Sequence, residues 1–143
     1  MRRLADVPDP RDGRGRRHSL VGVLAVAAAA VVAGARSVTA IAEWAADLPQ
    51  PMLAALGARR DPLTGRRRPP GEATIRRVLA RIDADALDLA VGAWLADRLR
   101  PPTRRCRRAI AVDGKTLRGA TGEEGAAVKL LAAFDHTHGV VLA

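Results

Sequence analysis

The chemistry-bearing residues of this chain fall into two groups, a carboxylate near its C-terminal end and a crowd of arginines before it. Asp113 closes the apolar run Ala109-Ile110-Ala111-Val112 and is followed by Gly114-Lys115-Thr116-Leu117-Arg118-Gly119. A carboxylate at the end of a strand-like run is placed to hold a hard divalent cation, which prefers oxygen ligands. The same Asp-Gly pair equally suits a turn, where the aspartate side chain bonds nearby backbone. Gly114-Lys115-Thr116 looks like the end of a phosphate loop, but the glycine required five positions earlier is Ala109, which excludes that reading. His136 and His138 alternate and in a strand would face one side, as metal ligands do, while a hairpin turn accounts for them as well.

The arginines ask for an anionic partner. Residues 1–108 carry 21 basic and 11 acidic groups, against 3 and 4 in residues 109–143, so a strongly cationic region precedes a nearly neutral one. Such a region suits nucleic acid, because neutralised phosphates release condensed counterions. The excess of 22 arginines over 2 lysines also fits a GC-rich coding sequence. Aromatic residues are 2% of the chain, which argues against a base-stacking platform. The lone Cys106 excludes an intramolecular disulfide and a cysteine-rich zinc site, and fits a reducing compartment.

Helices must position most of these arginines. Residues 1–18 hold six arginines with three aspartates, two prolines and two glycines, the composition of a basic flexible arm. Hydrophobic spacing and caps predict helices over roughly 19–34, 38–48, 51–56, 73–82 and 84–99. In the fourth, Ile75, Val78, Leu79 and Ile82 form one apolar stripe, with Arg76, Arg77 and Arg81 opposite, as in the recognition helix of a helix-turn-helix protein. Leu87, Val91, Trp94, Leu95 and Leu99 form a second stripe, and the two helices are expected to bury these stripes together as an antiparallel pair. The segments 59–71 and 100–108 are arginine- and proline-rich, the first an exposed loop and the second a linker or phosphate-contacting strip. Beyond residue 108 the pattern changes to short apolar runs at 109–112, 128–134 and 140–142, which predict three strands in a meander.

The uncharged run Leu20–Ala35 follows Arg14, Arg16 and Arg17 and has to be weighed as an export signal or membrane span. It is alanine-rich and shorter than the roughly 20 apolar residues a helical span needs. A helix pattern also resumes at once with Ile41, Trp44 and Leu48. The expectation is a buried helix of a soluble, cytoplasmic bundle with no membrane partner.

The order of motifs carries a resemblance. GARSVTAIAEWA, PPGEATIRRVLARIDADALDLAVGAWLADRL, AVDGKTLRGA and VKLLAAFDHTHGVVLA, spread from Asp9 to Ala143, resemble the start of bacterial insertion-sequence transposases of the H-repeat-associated group. The resemblance implies an α+β protein with four parts: an arm over 1–18, an all-α transposase-associated bundle over 19–100, a linker over 101–108, and the first strands of a truncated ribonuclease-H-like DDE domain over 109–143. In such enzymes the first acidic residue lies on the first strand, and the matching position here is Asp113. Three carboxylates together hold two divalent ions, normally Mg2+, for in-line phosphoryl transfer. Asp113 is thus the expected catalytic and metal-binding residue. Arg76, Arg77, Arg81, Lys115 and Arg118 are the expected contacts to double-stranded DNA at the element's ends.

The departures matter as much. The family's second Asp and its Glu are expected downstream, and Asp135, Glu123 and Glu124, placed in turns, are poor substitutes. A single carboxylate is too little ligand charge for a two-ion site, so this chain alone is expected not to cleave or join DNA. Relatives tend to carry serines where Gly71 and Ala73 stand, which weakens a helix cap. The alternative function is a stand-alone DNA-binding module that regulates intact transposase, by competing at element ends or by pairing with it or with itself. A sheet without covering helices is expected to be loosely ordered.

Overall fold

The computed structural model describes residues 2–14, 16–98, 109–121, 127–136 and 140–141, with backbone only at 98, 116–121, 127–131 and 140. The linker 101–108 with Cys106, together with Leu99, Glu123, Glu124 and His138, lies outside the described residues. Contacts divide the chain into two compact units, Met1–Ala90 and Val91–Ala143.

The first unit is built on α1 (Leu20–Val32). Ser19 starts it by accepting a hydrogen bond from the Gly22 amide at 3.1 Å, which satisfies one of the otherwise unpaired first-turn donors. Val23 and Val26 are fully buried, so the apolar run is a core helix. Among the described residues no helix is long and apolar enough to cross a membrane. Ser37 caps α2 (Val38–Ala46) through the Ala40 amide, and α3 (Gln50–Ala55) follows after Pro49. A Cβ on Gly22 would stand 2.7 Å from the Gly57 carbonyl oxygen, so glycine is what lets α1 approach the turn that ends α3.

α4 spans Glu72–Leu79, with Gly71 at its N-cap and no side-chain cap bond, in keeping with the missing serines. Its stripe is buried as expected, with Ile75 and Val78 at 0% exposure. The partner differs from the expected one: α4 packs against α1 and α2. From α5 (Ala84–Arg98), Ala86, Leu87 and Ala90 reach this core, whereas Val91 and Trp94 are each 39% exposed. Asp83 caps α5 through the Ala86 amide at 3.0 Å. Two further features depart from the sequence reading. The segment between α3 and α4 forms a hairpin of β1 (Arg59–Arg60) and β2 (Arg67–Arg68), so the first unit is not all-α. The arm, expected to be flexible, opens with a 3-10 turn at Arg2–Ala5 and buries Val7 in the core, because its few apolar residues are drawn from water.

The second unit contains a three-stranded antiparallel meander, β3 (Ile110–Thr121), β4 (Ala127–Asp135) and β5 (Val140–Val141), in that order. Asp113-Gly114 is not a turn. Asp113 pairs with Ala132 and Gly114 with Leu131 inside a ladder that runs on past a register shift between Thr116 and Thr121. Continuous pairing with β4 overrides the local turn preference of Asp-Gly. The chain is therefore mixed α and β, with two small antiparallel sheets.

Candidate nucleic-acid interface

The arm folds because three of its charged residues bind one another. Arg11 forks onto Asp9, donating from Nε to Oδ1 and from a terminal nitrogen to Oδ2, each at 2.8 Å. Its remaining terminal nitrogen donates to the His18 carbonyl at 3.0 Å, which closes the arm into a loop. This guanidinium holds the Asp9 carboxyl down at about 2. Arg16 donates to the backbone carbonyls of Asp12 and Arg11. Arg11 and Arg16 thus serve the loop's own structure.

The folded arm lies along α4, and between them opens a cleft of about 500 Å³. Six arginines line it, Arg11, Arg14, Arg16 and Arg17 from the arm, Arg77 from α4 and Arg81 from the turn that follows α4, with Asp12 the single carboxylate among the lining residues. Arg81 stands just past the helix end, where its amide donates to the Val78 carbonyl at 3.1 Å and keeps it beside the last turn of α4. Arg77 commits one N–H to the Ala73 carbonyl, while the side chains of Arg14, Arg17 and Arg81 make no hydrogen bond or ion pair among the described residues. Guanidinium groups left unpaired beside one another are stabilised by an incoming phosphate, whose oxygens match their fork. His18 also lines the cleft. Burial, then the positive charges of Arg59, Arg11 and Arg17, hold its pKa below the ordinary value.

The structure separates the residues expected to touch DNA. Arg77 and Arg81 come together in the cleft; Arg76, one position round the helix, is not among its lining residues and is ion-paired with Glu72. Asp113 and Lys115 are exposed on β3, two residues apart and hence on one face of the strand. Arg118 belongs to β3, with its side chain outside the described residues. Among the described residues, no three His, Cys, Asp or Glu side chains are grouped so as to hold a metal ion. Asp135, assigned to a turn by the sequence pattern, ends β4, where it is fully buried and pairs in register with Ile110. Sequence reasoning missed Arg14, Arg17 and His18 as partners of α4. The one available signal was apolar Val7 in an otherwise charged arm, the residue that anchors it.

Neither the comparison with curated proteins nor that with solved structures yields a match. The family model described as DDE_Tnp_1-associated matches residues 1–95, which include the whole arginine cleft. On that match the chain belongs to the DDE_Tnp_1-associated family, and its N-terminal part is the transposase-associated region of a DDE transposase family.

Proposed function

We propose that this chain is the DNA-engaging N-terminal part of a cytoplasmic insertion-sequence transposase, and that the cleft between the arm and α4 receives the backbone of duplex DNA at the element's ends. The observation that carries this reading is the grouping of Arg14, Arg17, Arg77 and Arg81 around one concavity with a single carboxylate. Lys115 and Arg118 are further phosphate contacts, and residues 109–143 are the opening strands of a ribonuclease-H-like DDE domain with Asp113 as its first acidic residue. Its place on β3, within a sheet, supports that assignment.

The residues at Asp113 do not fit Mg2+ unaided. Asp113 stands exposed opposite Ala132, with Gly114 and Lys115 next in the chain, which is one carboxylate beside a cation where a two-ion site needs several. These 143 residues by themselves therefore bind DNA without cutting it, and no catalytic step is assigned to them.

A second reading, an independent DNA-binding module that regulates intact transposase, is favoured by one observation. The core and the cleft are both completed by residues of the first unit. Titration of the full chain onto labelled duplex at two salt concentrations tests the shared premise. Binding that weakens steeply with salt, and further with Arg77→Ala and Arg81→Ala together, is expected. Binding indifferent to salt and to both substitutions would sink the proposal. Mixing the chain with active transposase then separates the readings, since inhibition of transposition belongs to the regulator alone.

A further inference from the structure

The β1–β2 hairpin is a second feature with a polyanion in its chemistry, and the cleft does not use its tip. Its apex is Asp61-Pro62-Leu63-Thr64-Gly65, and five arginines flank it at 59, 60, 66, 67 and 68. The turn is built rigidly. The Asp61 amide donates to the Arg66 carbonyl and the Gly65 amide to the Asp61 carbonyl, both at 2.8 Å, and Gly65 takes a φ of 68° that favours glycine. Asp61 Oδ1 accepts from the Leu63 and Thr64 amides at 2.9 and 3.4 Å, while Oδ2 pairs with Arg68 Nε at 2.7 Å. Gln50 of α3 holds the hairpin's base through both the amide and the carbonyl of Arg67.

The consequence lies at the tip. The one acid of the hairpin faces inward to the turn and Arg68, and what projects is Leu63, 94% exposed, beside exposed Pro62 and Arg66. A single exposed leucine is ordinary on a protein surface. One held at the apex of a pre-ordered turn, with exposed Arg66 beside it and Arg60 drawn up to the Gly65 carbonyl at 3.0 Å, has the make-up of a minor-groove wedge, in which an apolar side chain enters a base step while cations hold the phosphates. Pre-ordering removes the loop entropy that insertion would otherwise cost. Arg59, at the hairpin's base, acts electrostatically on His18 of the cleft, so the two surfaces adjoin.

We infer that the β1–β2 hairpin enters the minor groove of the same duplex that the arginine cleft holds, with Leu63 wedged into a base step and Arg66 on the phosphates. This rests on the reading of the cleft as a DNA site. The test is the end-to-end distance of an A·T-rich duplex of about 30 base pairs with dyes at both ends, with the affinity measured in parallel. The full chain is expected to bend it by about 20–90°. Leu63→Ala, which removes a side chain that supports nothing in the fold, is expected to bind but to lose about half of the bend or more. Arg66→Ala is expected to weaken binding and reduce its salt dependence. An equal bend with Leu63→Ala, or binding by the full chain without any bend, overturns the wedge and leaves the cleft standing. Absence of binding by the full chain removes both.

Discussion

In the first unit Val23 and Ile75 have no exposed surface, whereas on β3 of the second Ile110 is 47% and Val112 65% exposed. The two regions carry opposite kinds of chemistry on these different foundations. The cationic cleft is assembled from a loop, a helix and the turn after it, all set on a closed core, which holds four guanidinium groups around one concavity. The carboxylate Asp113 sits on a strand whose neighbours 110–115 are all exposed, and its register is fixed by backbone pairing with β4 alone. Charged side chains set on a closed core keep their grouping through that core, whereas Asp113 keeps its place through strand pairing.

That contrast is broken or sharpened by substitution. Ile75→Ala leaves a cavity in the closed core and is expected to cost about 2–5 kcal/mol in urea unfolding, and a negligible loss would mean that the first unit is as loose as the sheet. Gly22→Ala forces a Cβ toward the Gly57 carbonyl and is expected to cost about 1–3 kcal/mol, since backbone must move to admit it. In DNA titrations Arg77→Ala and Arg81→Ala should each lower the salt slope by about one, and Arg76→Ala, already paired with Glu72, should lower it less.

Acid should also act on the first unit. The His18 pKa is depressed on folding, so below its ordinary value of 6.5 the unfolded chain takes up the proton more readily. Stability is then complete above that pH and declines beneath it, a decline that His18→Gln should remove. Asp9, lowered from 3.8 to about 2 by Arg11, adds a further loss between those values as its carboxylate is protonated. Thermal unfolding of the full chain at successive pH values reads both. The smallest effect belongs to Val112→Ala, expected within about 0.5 kcal/mol because its side chain is already in water.

Much of this was legible in the residues. The stripe of Ile75 and Val78, the caps at Ser37 and Asp83 and the buried nature of the alanine-rich run all follow from helical spacing and short polar side chains. What could not be read was non-local. Nothing in 1–18 tells that Asp9 and Arg11 close a loop over α4, because a salt-bridged turn and a solvated tail have the same composition. The partner of α4 was misjudged because two adjacent amphipathic helices suggest each other, while α1 and α2 supply more apolar surface. The apolar run marked only the start of β3, at residues 109–112, and its continuation through Asp113-Gly114 could not be read because pairing with residues 131 and 132 is invisible until β4 is placed.

The central position of α1 sets an order of events. Its Val23, Leu24 and Ala27 are covered by Ile75, Val78 and Ala90, all of which come more than forty-five residues later in the chain. At ribosomal speeds of about 5–20 residues per second, the helix waits roughly 3–10 s after emerging before its cover is made. During that interval an uncharged apolar segment just behind a cluster of arginines is open to the nascent-chain factors that sort proteins for export or hold them for folding. Translation of α4 and the first turns of α5 completes the cover, so a slow codon between residues 35 and 90 would prolong the exposure without changing a single side chain.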